Sequence, residues 1–457
     1  MDIKHFWDNI SSKKIALCGI GVSNTPLIMN FLRQGARVYA CDKRSREQIG
    51  ELADKIEAAG AELRLGEDYL ADLEVDIIFR TPGMSFYLPE LTAARKKGIA
   101  VTSEMEVFFD LCPATIFAVT GSDGKTTTTT LIAEMLKAQG KTVHVGGNIG
   151  NPLLPEIDNI KPEDFVVVEL SSFQLISMRK SPDVAVVTNV APNHLDVHKD
   201  MDEYVEAKKN VILHQNAFSR TVLNYDNEIT NSFRDFVRGQ SLGFSMERRV
   251  KNGAWLDDKG MLHMSYRGID APIMHKKDIT ILGDHNVENY LTAIAAVWGY
   301  VSAENIRRVA KEFAGVEHRI EFCGRVDDVD FYNDSKGTNV DAAVIAIKAL
   351  RDGIILIAGG DGKGQEFDEL AEHFEGAVEA LILLGRDAPI IEEAARKAGF
   401  TNIYNCKDMP ECVRKAAELA RPGEKVLLSP ACASWDMYDN FEQRGRHFKN
   451  CIKELLR

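Results

Sequence analysis

Gly121-Ser122-Asp123-Gly124-Lys125-Thr126-Thr127 follows the apolar run Ile116 to Val119 as a glycine turn between a strand and a helix. A short strand that ends in a glycine turn and opens a helix with Lys-Thr-Thr presents backbone N–H groups, an ammonium and a hydroxyl to a polyphosphate. ATP binding is the first expectation, with a chance glycine turn as its alternative. In the usual phosphate loop the position five before the second glycine is also glycine. Here it is Val119, so the loop is a shortened form.

Around that loop the chain has 457 residues, 45% of them hydrophobic, enough for roughly three domains. A net charge of −13 argues against a nucleic-acid partner, because phosphate backbones demand a basic face. The N-terminal Met1-Asp2-Ile3-Lys4-His5-Phe6-Trp7-Asp8 lacks a basic segment leading into an apolar one. No apolar run approaches the roughly 20 residues that span a bilayer. A cytoplasmic protein with no membrane insertion is expected. The cysteines Cys18, Cys41, Cys112, Cys323, Cys406, Cys412, Cys432 and Cys451 form no C-x-x-C pair, which suits buried thiols and not zinc.

The alternation of apolar runs with amphipathic stretches predicts an α/β protein of three domains. Residues 1–111 read as a Rossmann-like domain with strands at Ile15 to Cys18, Arg37 to Cys41 and Val75 to Phe79. Residues 112–314 read as a central ATPase-like domain, with a helix near Thr126 to Gln139 and buried strands at Phe165 to Leu170 and Val184 to Val187. Within it, Arg220 to Arg267 is expected to form a small appended antiparallel sheet. Residues 315–457 read as a second Rossmann-like unit, with strands at Ile354 to Ala358, Ala380 to Leu384 and Lys425 to Ser429.

Further chemistry lies at the ends of the expected strands. Gly19-Ile20-Gly21-Val22-Ser23-Asn24, with Asp42 about twenty residues on, has the layout of a dinucleotide fingerprint except that Asn24 replaces the third glycine. A diphosphate site and a tight turn are both compatible with it. Thr81-Pro82-Gly83-Met84 would lie on the same sheet edge, or be an ordinary loop. Glu169, ending a buried strand near the phosphate loop, is placed to hold Mg²⁺ on ATP directly or through water, with a solvated strand end as the alternative. His194 follows another buried strand on that edge, which favours a functional histidine over a merely structural one. Lys208, within Tyr204-Val205-Glu206-Ala207-Lys208-Lys209, reads from its local sequence as a solvated helix lysine.

Together these pieces resemble the Mur ligase family, the ATP-dependent amide-bond-forming enzymes of peptidoglycan precursor synthesis. The family's shortened loop stands at Thr120 to Thr127. Its later motifs stand at Glu169-Leu170-Ser171-Ser172, Asn193-His194-Leu195-Asp196, His285-Asn286 with Asn289, and His318-Arg319. Asn333-Asp334-Ser335-Lys336-Gly337-Thr338-Asn339 is similar to the D-glutamate-adding branch. Gly359-Gly360-Asp361-Gly362-Lys363, Ser429 to Ser434 and Phe441-Glu442-Gln443-Arg444-Gly445 complete the pattern. Lys43, where a small hydroxyl residue often stands, and Asn24 are its departures.

The resemblance implies that D-glutamate is joined to the alanine carboxylate of UDP-N-acetylmuramoyl-L-alanine through an acyl phosphate. It implies an ATP site of Gly121, Ser122, Asp123, Gly124, Lys125, Thr126, Thr127, Asn286, Arg319 and Asp334. Thr126, Glu169, His194 and Lys208 would serve two Mg²⁺ ions, with Lys208 carbamylated, and Lys125, Glu169, His194 and Lys208 would be catalytic. Ser23, Asp42, Gly83 and Asn148 would hold the UDP substrate, and Lys336, Thr338, Lys363, Ser434 and Phe441 would hold D-glutamate on a C-terminal lid. A monomer is expected. The competing readings are a folylpolyglutamate synthase-like ligase, an NAD-dependent oxidoreductase and a non-catalytic nucleotide-binding regulator. None of them accounts for all of the motifs.

Overall fold

Val- and Ile-rich segments buried on both faces need helices to cover them, and chains built that way form parallel sheets. The computed structural model describes residues 2–21, 24–194 and 197–455 and contains three such sheets; Ser23 lies outside the described residues. In the first, β1 (Lys14–Cys18), β2 (Arg37–Asp42), β3 (Glu62–Leu65), β4 (Ile77–Phe79) and β5 (Ala100–Thr102) are all parallel, in the order β3-β2-β1-β4-β5.

The second sheet contains β6 (Thr115–Thr120), β7 (Val143–Gly147), β8 (Phe165–Glu169), β9 (Val184–Val187), β10 (Arg220–Asn224), β11 (Gln240–Ser245), β12 (Gly253–Leu256), β13 (Met261–Tyr266) and β14 (Ile269–His275). Their order is β14-β13-β12-β11-β10-β9-β6-β8-β7. The expected appended antiparallel sheet is corrected here. β10, β11 and β12 pair in parallel and extend the main sheet, and only β12 with β13 and β13 with β14 run antiparallel. The reason lies in burial: Thr221, Val222 and Leu223 are covered on both faces, and the short helix Glu228–Ser232 supplies the crossover that parallel pairing needs.

The third sheet contains β15 (Glu321–Val326), β16 (Val329–Asn333), β17 (Ile354–Ala358), β18 (Val378–Leu383), β19 (Ile403–Asn405) and β20 (Lys425–Leu428). Its order is β15-β16-β20-β17-β18-β19, parallel except for the β15–β16 hairpin.

Two compact units hold these sheets, one of residues 1–278 with 288–309 and one of residues 279–287 with 310–457. In the first unit the first two sheets share a core in which Phe31, Phe79 and Phe108 belong with Val166, Val187 and Phe233. Polar clamps cross it. Glu104 accepts the N–H groups of Leu153 and Leu154, and the buried Arg80 guanidinium donates to Phe173 O at 2.9 Å and Ser177 Oγ at 2.8 Å. Among the described residues no helix is long and apolar enough to cross a membrane.

Candidate active site

Parallel strands deliver the residues that follow them to one sheet edge, and in the second sheet β7, β8, β6 and β9 are consecutive neighbours. The phosphate loop leaves β6, Glu169 ends β8, Asn148 follows β7, and His194 lies in the loop after β9. The four segments therefore meet.

The loop is held from outside. Ser122 N–H donates to Asn189 O and Asp123 N–H to Asn189 Oδ1, both at 2.9 Å, while Thr188 Oγ1 donates to Asp123 O at 2.5 Å. Gly121 and Gly124 have φ of +152° and +75°. A Cβ on Gly121 would fall 1.9 Å from Thr188 Oγ1, and one on Gly124 2.4 Å from Asn289 Oδ1. The close approach of these side chains requires glycine at both places. Lys125 opens the helix Lys125–Ala138 and its ammonium folds back onto Gly121 O at 3.0 Å and Ser122 O at 2.8 Å.

Glu169 is 2% exposed. Its Oε1 accepts Asn148 Nδ2 at 2.7 Å, and its buried Oε2 has no hydrogen-bond partner among the described residues. Such an atom is costly unless a cation or other donor meets it. Asn148, expected at the UDP substrate, is thus engaged with the carboxylate, and its N–H also donates to Glu169 O at 2.8 Å.

The local sequence reading of Lys208 as a solvated lysine is overturned, since the residue is 1% exposed. It sits in the helix Met201–Leu213, donates to Gly121 O at 2.7 Å, and lies 4.5 Å from the centre of the Tyr204 ring. Burial first, and then the nearby Lys125 charge, hold its ammonium well below the usual lysine range. His194 adopts a left-handed backbone at φ +55°, with its ring 5.4 Å from Phe173.

In the first sheet the expected fingerprint forms a cavity of about 160 Å³ lined by Gly19, Ile20, Gly21, Asn24, Asp42, Arg44 and Thr81. Asn24 stands in for glycine because its buried side chain donates to Cys18 O at 2.8 Å and ties the helix start to β1. Asp42 accepts Ile20 N–H at 2.7 Å and a fork from Arg44, Nε at 3.0 Å and Nη2 at 2.9 Å. Burial raises the Asp42 pKa, but the Arg44 side chain and the backbone donors outweigh it and leave the carboxyl below its ordinary value. Arg44 was not among the expected residues; its place two after the strand-end aspartate was the available signal. Gly83, after β4, lines a second cavity of about 310 Å³ with Arg80, Phe86, Phe173, His198 and Glu203.

In the second unit β16, β20 and β17 are neighbours, so the loops bearing Lys336 and Thr338, Ser434, and Lys363 leave the same edge. Asp361 and Ala433 exchange backbone hydrogen bonds at 2.9 and 2.8 Å, joining the Lys363 loop to the Ser434 loop. Lys363 Nζ lies 4.3 Å from the Trp435 ring centre, and Lys336 Nζ 5.9 Å from that of Phe441. Arg444, unassigned from sequence, donates from a buried position to Ser335 O at 2.8 Å and Cys432 O at 3.0 Å, and burial pulls it down to about 10. Asp334 is fully buried; burial pushes its carboxyl up to about 6, while it accepts Ser429 Oγ at 2.8 Å and Ile320 N–H at 3.3 Å. Asn286 Nδ2 donates to Leu282 O at 2.6 Å, and Arg319 is half-buried.

Three family descriptions match successive parts of the chain: the Mur ligase MurD-like N-terminal domain at 13–103, the Mur ligase middle domain at 119–297, and the Mur ligase glutamate ligase domain at 318–432. A UDP-N-acetylmuramoylalanine--D-glutamate ligase of Acetivibrio thermocellus is 47% identical, with 99% of each chain covered. The chain belongs to the Mur ligase family. A ligase of the same description from Clostridium botulinum is 44% identical, again over 99% of each chain. Among solved structures, the UDP-N-acetylmuramate-alanine ligase of Thermotoga maritima matches with a TM-score of 0.61 at 18% identity, covering 97% of this chain and 100% of that one. At that identity the likeness speaks for the Mur ligase fold alone.

Proposed function

We propose that the chain is an ATP-dependent ligase that adds D-glutamate to UDP-N-acetylmuramoyl-L-alanine, as the descriptions of its full-length relatives indicate. The observation that carries this reading is the pairing of a glycine-bound phosphate loop with a buried, half-satisfied Glu169 on the same sheet edge. A carboxylate resists attack by an amine because it is anionic and would have to expel oxide. Its oxygen therefore first takes the γ-phosphoryl group of ATP, releasing ADP and giving an acyl phosphate. The D-glutamate amine then attacks the carbonyl carbon, the bond to phosphate breaks, and the nitrogen loses a proton as the amide forms.

The protein's part is positioning and charge neutralisation. Lys125, detached from Gly121 O and Ser122 O, would reach the β- and γ-phosphates, with the N–H groups of 124–127 around them while those of Ser122 and Asp123 stay on Asn189. Mg²⁺ fits the donor set: the unpartnered Glu169 Oε2, the Thr126 hydroxyl and a carbamylated Lys208 offer the oxygen ligands it prefers, with His194 at a second ion. When bound it would draw charge from the phosphate oxygens. The depressed Lys208 ammonium supports carbamylation, because only the neutral amine can attack CO₂, losing a proton to leave an anionic carbamate.

Asp42, Gly83 and Asn148, with Ser23, are the proposed holders of the UDP substrate. Lys336, Thr338, Lys363, Ser434 and Phe441 are those of D-glutamate, where ammonium groups and hydroxyls suit two carboxylates. Asn286 and Arg319 would face the nucleotide, and the buried Asp334 would act there by holding the Arg319–Ile320 segment. A cytoplasmic monomer organised as 1–111, 112–314 and 315–457 completes the proposal. An acceptor panel with UDP-N-acetylmuramoyl-L-alanine, scored by product mass, tests it. D-glutamate should be consumed, with L-glutamate and meso-diaminopimelate left; equal use of both glutamate enantiomers would refute it.

A further inference from the structure

His198 lies outside the residues assigned above, yet its side chain is 1% exposed and fully engaged. Nδ1 is 2.9 Å from Glu203 Oε1, and Nε2 is 2.9 Å from Ser172 Oγ. Because a carboxylate only accepts, Nδ1 carries the proton of the first bond, which fixes the ring's orientation. The ring stacks on Phe173 at 4.9 Å with planes 6° apart, and Tyr204 packs edge-on at 5.3 Å.

The partners of this imidazole stand beside the proposed machinery on two separate elements. Ser172 and Phe173 open the short helix Ser172–Leu175, just past Glu169 at the end of β8. Glu203 and Tyr204 lie in the first turn of the helix that carries Lys208 one turn later. Tyr204 also reaches the phosphate loop, with its hydroxyl 3.0 Å from Ser122 Oγ. The His198 N–H donates to His194 O at 2.9 Å, so the same residue also holds the left-handed His194 segment.

We infer that His198 is a positioning residue of the ligase, bridging Ser172 and Glu203 so that the Glu169 strand end, the His194 loop and the Lys208 helix keep one mutual geometry. The inference rests on the reading of Glu169 and Lys208 as the metal side of the site. A ring held by two hydrogen bonds and a stack has no rotamer freedom to lend, which is what fixes ligands to within a fraction of an ångström. Its effect should fall on metal-dependent steps, since its partners sit next to the metal-side residues and on none of the amino-acid side.

The test uses the full-length enzyme. His198→Phe keeps the stacked ring and deletes both hydrogen bonds, and Ser172→Ala deletes one with little change in volume. Each should weaken Mn²⁺ binding in the presence of ATP, read by electron paramagnetic resonance without turnover, at least fivefold and lower kcat about tenfold, with the KM for D-glutamate unchanged within twofold. The double variant should be no worse than the poorer single one within threefold, because the bridge is already broken. If His198→Phe does not fold, Ser172→Ala carries the test alone. Mn²⁺ affinity within twofold of wild type in folded Ser172→Ala would overturn the inference, as would an equal rise in the KM for D-glutamate. Glu169→Gln serves as the control. Wild-type turnover there would overturn the underlying metal reading, whereas an inactive Glu169→Gln beside a normal Ser172→Ala would overturn only the role of His198.

Discussion

Asn148 Nδ2 donates to Glu169 Oε1 over 2.7 Å, which turns the buried carboxylate so that Oε2 meets no donor among the described residues. One oxygen is anchored and the other is left for a ligand. That division makes Glu169 the most informative position to alter.

Glu169→Gln retains the size of the side chain and a carbonyl oxygen for Asn148, but removes the anion. Turnover should fall by at least a hundredfold, and Mn²⁺ binding followed by electron paramagnetic resonance in the presence of ATP should weaken in parallel. Unchanged Mn²⁺ affinity would show that the carboxylate serves only the loop.

Lys208→Ala should nearly abolish activity, and millimolar acetate should restore part of it by occupying the vacated space with two anionic oxygens. Lys125→Ala should lose several orders of magnitude and gain nothing from acetate, because the missing group there is a cation. With ¹³C-bicarbonate, wild type should show a carbamate carbon resonance that Lys208→Ala lacks. Full activity of Lys208→Ala without acetate would refute the carbamate.

Two glycines with similar backbone angles separate strain from collision. Gly140 has φ +80° and open space where a Cβ would stand, so Gly140→Ala should cost about 1–2 kcal/mol of stability and leave ATP turnover intact. Gly124, at φ +75°, would bring its Cβ to 2.4 Å from Asn289 Oδ1, so Gly124→Ala should in addition displace the loop and raise the KM for ATP at least tenfold. Equal kinetics for the two variants would contradict the tight packing of the loop.

Asp334 gives a pH-dependent prediction with a definite sign. Its carboxyl stands at about 6 in the fold against 3.8 for the ordinary group, so between those values the native state binds more protons than the unfolded chain. The stabilising protonation is complete below pH 4 and is lost as pH rises through 6. Relative to Asp334→Asn, which does not titrate, the wild type should therefore lose about 2 kcal/mol between pH 4 and pH 7 in urea unfolding. A difference that stays flat with pH would mean that the buried carboxylate is fully compensated by Ser429 and Ile320.

Several of the elements were legible because they are encoded locally. The shortened loop, the buried runs before Glu169 and His194, and the order of motifs from Gly19 to Gly445 are patterns of neighbouring residues, and backbone sterics and strand burial act over that range. The parallel extension through β10 and β11 was not legible, because pairing direction depends on which distant strand covers an edge.

The α/β class, the phosphate loop and the family resemblance are written in the order of residues, since glycine, lysine and threonine at fixed spacing leave a chain few other uses. The states of individual groups come from packing in three dimensions. Lys208 reads as a surface lysine in its helix, and becomes a buried, depressed amine only because the fold removes it from water and brings the Lys125 charge near it. His198 reads as one more polar residue until Ser172 and Glu203 meet its two nitrogens. Electrostatic environment is a property of what lies within a few ångströms in space, and residues 87 positions apart in the chain, as Lys208 and Gly121 are, set it for one another.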